Sequence, residues 1–231
     1  MTLINDFMSL IYPRHCEACA NGLFKHETYI CNHCKLNLPK SNYHINEHNE
    51  LSQTFAGRVP LSNGLCFYLF EKSGKVQKLL HAIKYQGQKE LAQFIGNLYA
   101  QELAKTKIKD EVDVIIPIPL HKKKLKQRGY NQSEWFAMGL ATGLEKPLDI
   151  HSFERAHETS TQTKKKKYQR WENVEGIFKV NEQSTFVNKH VLLVDDVITT
   201  GATIEAAWLA LKDIDGIKIS VASIAFAARK L

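Results

Sequence analysis

Two neighbouring aspartates, Asp195 and Asp196, close the apolar stretch 191–194 and precede a turn of small and hydroxyl-bearing residues. Carboxylates at the end of a buried strand lie at the sheet edge where open α/β folds bind ligands. The turn offers hydroxyl donors, a glycine that permits close backbone approach, and free N–H groups at the start of a helix, all of which suit a phosphate. Sugar hydroxyls for the acids and a phosphate for the turn are therefore the natural targets.

An alternative is that the two acids form a strand-end turn with an N-cap, a common role for Asp and Thr. A cap requires only one acid, and adjacent like charges repel unless a cation or hydroxyl donors compensate. Residues 191–203 resemble the phosphoribosyl pyrophosphate (PRPP) motif of type I phosphoribosyltransferases. We predict that Asp195 and Asp196 bind the ribose hydroxyls and act in catalysis. The predicted 5-phosphate site comprises Thr199, Thr200, Gly201, Ala202 and Thr203.

The net charge of +7 predicts a polyanionic partner, which a phosphate-rich substrate and a nucleic acid would both satisfy. The charge is clustered in lysine runs at 122–126 and 164–167, although such runs are often solvated loops. A strand at 112–118 ends in prolines and leads into the first run, which is predicted to be a basic loop. Arg128 and Gly129 follow, and we predict that they hold a leaving pyrophosphate by forked hydrogen bonds and close backbone approach.

The polar segment of residues 155–178 contains the second lysine run. Long irregular segments in compact domains are often active-site lids, so we predict a lid that covers PRPP with Lys166 and Arg170. A second interpretation is a single-stranded nucleic-acid groove in which Tyr168 and Trp171 stack on bases. A third is a plain solvated loop.

Four cysteines form two pairs, Cys16-x-x-Cys19 and Cys31-x-x-Cys34. Two such pairs together close a tetrahedral site without an open position, so we predict one structural zinc ion. Disulfides, an iron–sulfur cluster, and replacement of one ligand by His15 or His33 are the alternatives. The fifth cysteine, Cys66, lies in an apolar run and is predicted to be a buried hydrophobic residue.

The remaining pattern predicts an α/β chain in which strands at 65–70, 112–118, 191–194 and 217–226 alternate with helices. We divide it into a helix and metal module (1–45), a polar linker (46–60) and one larger domain (61–231). Residues 1–12 predict a short docking helix without the features of a signal peptide, and no apolar run is long enough to span a membrane. A cytoplasmic location is therefore expected, without membrane insertion.

Nearly the whole chain resembles the ComF family of competence-associated, phosphoribosyltransferase-like proteins. The resemblance rests on the cysteine pairs, the acid pair and motifs in between: Lys84-Tyr85-x-Gly87, Pro117-x-Pro119, Arg128-Gly-Tyr-Asn131, Thr161-Gln162 and Arg170-x-x-Asn173-x-x-Gly176-x-Phe178. It implies an N-terminal zinc-ribbon-like module and a type I phosphoribosyltransferase fold, a mostly parallel sheet flanked by helices. It also implies Mg²⁺ carried by PRPP and a role in DNA uptake or the use of external DNA.

Two classes of function follow. In the first, the chain transfers phosphoribose from PRPP to an acceptor such as a nucleobase, as in nucleotide metabolism; no segment identifies that acceptor. In the second, it keeps the fold without turnover, either as a sensor of PRPP or a ribonucleotide or as an accessory protein that binds single-stranded DNA or other competence proteins.

Overall fold

A computed structural model describes residues 14–155 and 176–228 of the chain. The predicted docking helix of residues 1–12 lies outside these ranges. So does most of the predicted lid, including Lys166, Tyr168, Arg170 and Trp171.

The core of the described chain is a parallel sheet. The strands are β1 (Leu61–Leu69), β2 (Val114–Pro117), β3 (Phe153–Arg155), β4 (Phe178–Val180), β5 (His190–Ile198) and β6 (Lys218–Phe226). Strands β1, β6, β5 and β2 pair in that order and all run parallel, while β3 and β4 form a separate antiparallel pair. The stretch 191–194 is buried throughout, as expected for a strand covered on both faces. This confirms the predicted α/β class and places the carboxyl ends of four strands along one edge.

Strand β5 is longer than predicted. The sequence suggested that it ends at Val194, but the ladder with β6 continues to Ile198, where Asp195 pairs with Ser223 and Ile198 with Phe226. Both acids therefore belong to the hydrogen-bonded strand, and the turn begins only after Ile198.

Helices flank the sheet, and two of them position the site. The helices are α1 (Asn32–Asn37), α2 (Glu50–Phe55), α3 (Lys75–Tyr85), α4 (Lys89–Leu103), α5 (Ile108–Glu111), α6 (Lys122–Arg128), α7 (Gln132–Leu144) and α8 (Ala202–Leu211). A short 3₁₀ helix spans Gln183–Phe186. Apolar residues of α3, α4 and α7 share one hydrophobic cluster with β1 and β5. This packing fixes the end of α3 and the start of α7 near the carboxyl edge of the sheet.

Helix α2 lies within the predicted polar linker. Its Leu51 and Phe55 have no exposed surface and pack in the hydrophobic cluster on the β5 and α8 side of the sheet. The helix is capped by Asn49, whose side chain accepts from the backbone N–H of Ser52 at 2.9 Å. Composition predicted a loosely packed connection here, but two apolar side chains one helical turn apart anchor the segment. The division at residues 45 and 60 itself stays a prediction.

The basic segment after β2 is helical rather than the predicted loop. Helix α6 places Lys122, Lys123, Lys124 and Lys126 at the surface. Lysine, leucine, glutamine and arginine all favour helices, and the His121 ring accepts from the backbone N–H of Lys123 at 3.3 Å as a cap. The helix ends at Gly129, whose φ of 80° is the left-handed conformation that suits glycine after a helix.

Within residues 14–155 and 176–228, no helix has the length and apolar character needed to cross a lipid bilayer.

Candidate functional site

The acid pair is held by three different partners. Asp195 Oδ1 accepts from the Ser133 hydroxyl at 3.0 Å and from the backbone N–H of Asp196 at 2.8 Å. Asp196 Oδ2 lies 2.9 Å from the Lys84 ammonium. The two carboxylates are therefore not equivalent: Asp195 is hydrogen-bonded by neutral donors, whereas Asp196 is paired with a cation.

The electrostatics of Asp195 follow from this difference. Burial, and next the negative charge of Asp196, raise the pKa of Asp195 to about 7. The Asp196 amide, the Ser133 hydroxyl and the more distant Lys84 charge act in the opposite direction but do not cancel the shift. Asp195 therefore holds its proton more tightly than an ordinary aspartate, and it becomes a full acceptor for a ligand hydroxyl only after it has lost that proton.

The turn after β5 has the open backbone that a phosphate requires. Thr199 and Thr200 are exposed, and Gly201 precedes α8 without a side chain of its own to cap the helix. The Thr200 hydroxyl accepts from the first helical N–H, that of Ala202, at a long 3.4 Å. Arg58 holds the turn from outside, since its guanidinium donates to the Thr200 carbonyl at 3.1 Å and pairs with Glu205 at 2.9 Å. Free N–H groups at a helix start are an anion-binding arrangement.

Gly201 is required in this turn for two reasons. Its φ is 78°, and a Cβ atom would lie 2.5 Å from Cε1 and 2.7 Å from Cζ of the buried Phe55 ring. We therefore expect Gly201→Ala to lower the free energy of unfolding by about 2–4 kcal/mol, because it adds a steric clash to backbone strain. Chemical denaturation of both proteins measures this difference.

Gly57→Ala is the matched control, since Gly57 has a φ of 72° and nothing within 4 Å of an added Cβ. It carries the strain without the clash and should cost about 1 kcal/mol. Equal losses at the two positions would contradict the contact with Phe55.

A basic cleft of about 360 Å³ lies beside the acid pair. It is lined by Lys84, Tyr85, Gly87, Lys124, Gln127, Arg128 and Tyr130. Arg128 donates to Gln132 Oε1 at 2.8 Å, its guanidinium lies 5.6 Å from the Tyr85 ring centre, and the Tyr130 hydroxyl donates to the Ile83 carbonyl. These contacts orient the arginine within a cleft that collects three cations, a surrounding suited to a polyphosphate.

The structure brings the predicted acids, turn and Arg128 to the same end of the molecule, and adds three residues that the sequence analysis did not assign. Lys84 entered the sequence analysis only as part of a family motif. A lysine followed by a glycine at the end of an amphipathic helix could, however, have indicated a phosphate-binding position. Ser133, at the start of α7, and Arg58, distant in sequence from the turn, had no such signal. The predicted contributions of Lys166 and Arg170 lie outside the described residues.

The four paired cysteines form a metal-binding cluster. The Sγ atoms of Cys16, Cys19, Cys31 and Cys34 all lie within 4.8 Å of one another, and those of Cys19 and Cys31 are 3.8 Å apart. Tetrahedral zinc–sulfur bonds of about 2.3 Å place sulfurs about 3.8 Å apart, so the donor set fits a zinc ion. The cysteines are free thiols rather than disulfides, and the cluster includes neither candidate histidine.

Cys66 is fully buried in β1, as predicted, and its thiol donates to the Tyr68 carbonyl at 3.0 Å.

Residues 130–230 match the family described as "Phosphoribosyl transferase domain". "DNA utilization protein YhgH" of Salmonella typhi is 30% identical over 139 residues, which is 58% of this chain and 60% of that protein. "Competence protein ComFC" of Bacillus subtilis is 28% identical over 83% of this chain and 75% of its own length. "Competence protein F" of Haemophilus influenzae is 34% identical over 40% and 41%. The chain thus spans 60% of the length of its YhgH relatives.

These relatives, the phosphoribosyl transferase match, the parallel sheet and the four-cysteine cluster agree with one another. The chain is therefore similar to the competence-associated ComF proteins and to YhgH, and it has an α/β phosphoribosyltransferase fold with a small four-cysteine module.

Proposed function

We propose that the chain binds PRPP together with Mg²⁺ at the carboxyl edge of the sheet and transfers its phosphoribosyl group to an acceptor. The observation that carries this proposal is the placement of the Asp195–Asp196 pair between an open phosphate turn and a cleft lined by three cations. PRPP has the matching order of groups, a 5-phosphate, a ribose with two free hydroxyls and a pyrophosphate.

Each part of the site takes one part of the ligand. The turn of residues 199–203 and the start of α8 hold the 5-phosphate through backbone N–H groups and threonine hydroxyls. Asp195 and Asp196 accept hydrogen bonds from the ribose hydroxyls. Arg128 and Gly129 hold the pyrophosphate together with the other cations of the basic cleft. Lys166 and Arg170 belong to the lid that we propose for residues 155–178.

The acid pair favours the charge that develops during transfer. When the bond between the ribose carbon and the pyrophosphate oxygen breaks, the electron pair leaves with pyrophosphate and the ribose carbon becomes positive. Carboxylates that are already fixed beside this carbon stabilise the charge without reorganisation. An acceptor nitrogen then forms the new bond to the ribose carbon and gives its proton to solvent.

Mg²⁺ and zinc have different proposed roles. Carboxylate and phosphate oxygens are the ligands that Mg²⁺ prefers, so Asp195, Asp196 and the phosphates of PRPP suit it, and the ion would neutralise pyrophosphate charge. Zinc would be held by the four cysteines and would stabilise the fold without a chemical role, because such a site has no open position.

The experiment is a calorimetric titration of the chain with PRPP and Mg²⁺, followed by an assay of pyrophosphate release over a panel of nucleobases. We expect PRPP to bind and one class of base to trigger release. Binding without release would indicate a sensor instead of an enzyme. Failure of PRPP to bind, or equal binding by the Asp195→Asn/Asp196→Asn double variant, would contradict the proposed site.

A second candidate is an accessory protein that binds single-stranded DNA in the cytoplasm during DNA uptake. The exposed lysines of α6 favour it, as do the names of the relatives, which refer to DNA utilization and competence. Binding of an oligonucleotide would then weaken steeply as salt rises, because released counterions drive such contacts. Affinity independent of salt would exclude this candidate.

A further inference from the structure

Lys84 stands between the two halves of the candidate site. It lies in the last turn of α3, where its ammonium is 2.9 Å from Asp196 Oδ2, and it also lines the basic cleft. The side chains of Lys84 and Asp196 are 22% and 14% exposed, so the pair is largely shielded from water. One cation therefore serves an acid that would contact ribose and a cleft that would hold pyrophosphate.

In the ligand-free site, this ion pair compensates the charge of Asp196. Asp195 is adjacent and shares its carboxylate with neutral donors, so Lys84 is the cation in direct contact with the acid pair among the described residues. A ribose hydroxyl or a metal ion that approaches Asp196 must compete with the ammonium. Breaking a shielded ion pair is costly unless each partner gains a replacement.

A pyrophosphate group supplies that replacement. Placed in the basic cleft, it offers Lys84 several charged oxygens close to Arg128 and Lys124, and Asp196 is then free for the ribose. A ligand with the same ribose and 5-phosphate but no pyrophosphate leaves Lys84 on Asp196.

We propose that Lys84 exchanges Asp196 for the pyrophosphate on binding and thereby makes the site selective for PRPP over ribose 5-phosphate. This inference rests on the proposed function and deepens it, because it makes Lys84 a specificity-determining residue rather than a passive support. If Lys84 only positioned Asp196, its loss would weaken both ligands equally.

The test compares PRPP and ribose 5-phosphate, each with Mg²⁺, in titrations of the wild-type chain and Lys84→Gln. We expect PRPP affinity to fall at least about tenfold, the change for one lost charge-assisted hydrogen bond. Ribose 5-phosphate affinity should stay equal or rise, because its hydroxyls no longer compete with an ammonium. The ratio of PRPP affinity to ribose 5-phosphate affinity should therefore fall at least about tenfold.

Lys78→Gln, on the exposed face of the same helix, is the control and should leave both affinities unchanged. Lys84→Arg, which keeps the charge, should retain most of the selectivity. If Lys84→Gln lowered the affinities for both ligands equally, so that the ratio of the two affinities did not change, the proposed exchange would be wrong. The proposed function would still stand. If the wild-type chain bound neither ligand, the proposed function would fail and the inference with it.

Discussion

Chelation of the metal is expected to unfold the four-cysteine module. Three of the cysteines, Cys16, Cys31 and Cys34, are buried with Ile30 and Leu38 at the edge of the main hydrophobic cluster, but the segment is too short to form a core of its own. A bound zinc ion contributes on the order of 10 kcal/mol to such modules. Loss of the ion should therefore remove most of the folding free energy of residues 14–40. Circular dichroism and limited proteolysis before and after chelation measure the change.

Cys34→Ser should have a similar effect, because three thiolates bind zinc much more weakly than four. Cys66→Ala is the matched control, since this buried cysteine lies outside the cluster. It should keep one metal ion per chain, measured by atomic absorption, although it leaves a small cavity. Full resistance of the module to both chelation and Cys34→Ser would show that the cysteines have no metal-dependent role.

Asp195→Asn is expected to stabilise the ligand-free protein while it weakens PRPP binding. The pKa of Asp195 rises from 3.8 to about 7 on folding, so the folded chain keeps a proton that the unfolded chain releases. Stability should therefore fall as pH rises between about 4 and 7, and remain reduced above pH 7. A rise of the Asp195 pKa from 3.8 to about 7 corresponds to about 4 kcal/mol of folding free energy lost at pH 8. Because the side chain is partly exposed, we expect Asp195→Asn to raise the free energy of unfolding by about 2–4 kcal/mol at that pH.

The same substitution should lower PRPP affinity roughly 10- to 100-fold at pH 8, because a charged acceptor for a ribose hydroxyl is replaced by a neutral one. Denaturation at pH 4 and pH 8, together with PRPP titration at pH 8, checks both halves. At pH 4 the stability difference should largely vanish. Asp213→Asn, in an exposed loop, should change neither quantity. If Asp195→Asn lowered the free energy of unfolding at pH 8, the proposed cost of burying the charged carboxylate would be wrong.

The position of the candidate site in the fold could be predicted where the pattern was local in sequence. The acid pair, the glycine turn and the cysteine pairs each combine residue type and spacing within a few positions, and the four cysteines do come together. Burial on both faces of β5 was equally evident from its apolar run. Such patterns report directly on one strand, turn or metal site.

Long-range contacts were not readable. Ser133 contacts Asp195 across 62 positions of sequence, and Arg58 contacts Thr200 across 142. A single serine or arginine has no local sequence pattern from which such a distant partner could be predicted. Helix α6 was missed because its lysines were read as a solvated run, although every residue type in it favours helix. Helix α2 was missed because polar neighbours outnumber its two buried residues.

The contact of Phe55 with Gly201 bears on how this protein can be divided. The region that matches the phosphoribosyl transferase family begins at residue 130, and the apolar strand β1 begins at Leu61. The turn of residues 199–203 nevertheless contacts the Phe55 ring and the Arg58 guanidinium, which precede both. A fragment cut at either boundary would carry the complete acid motif without the surface that shapes it. The candidate site therefore depends on residues outside the acid motif, and grafting it into another protein would require residues 49–58 as well.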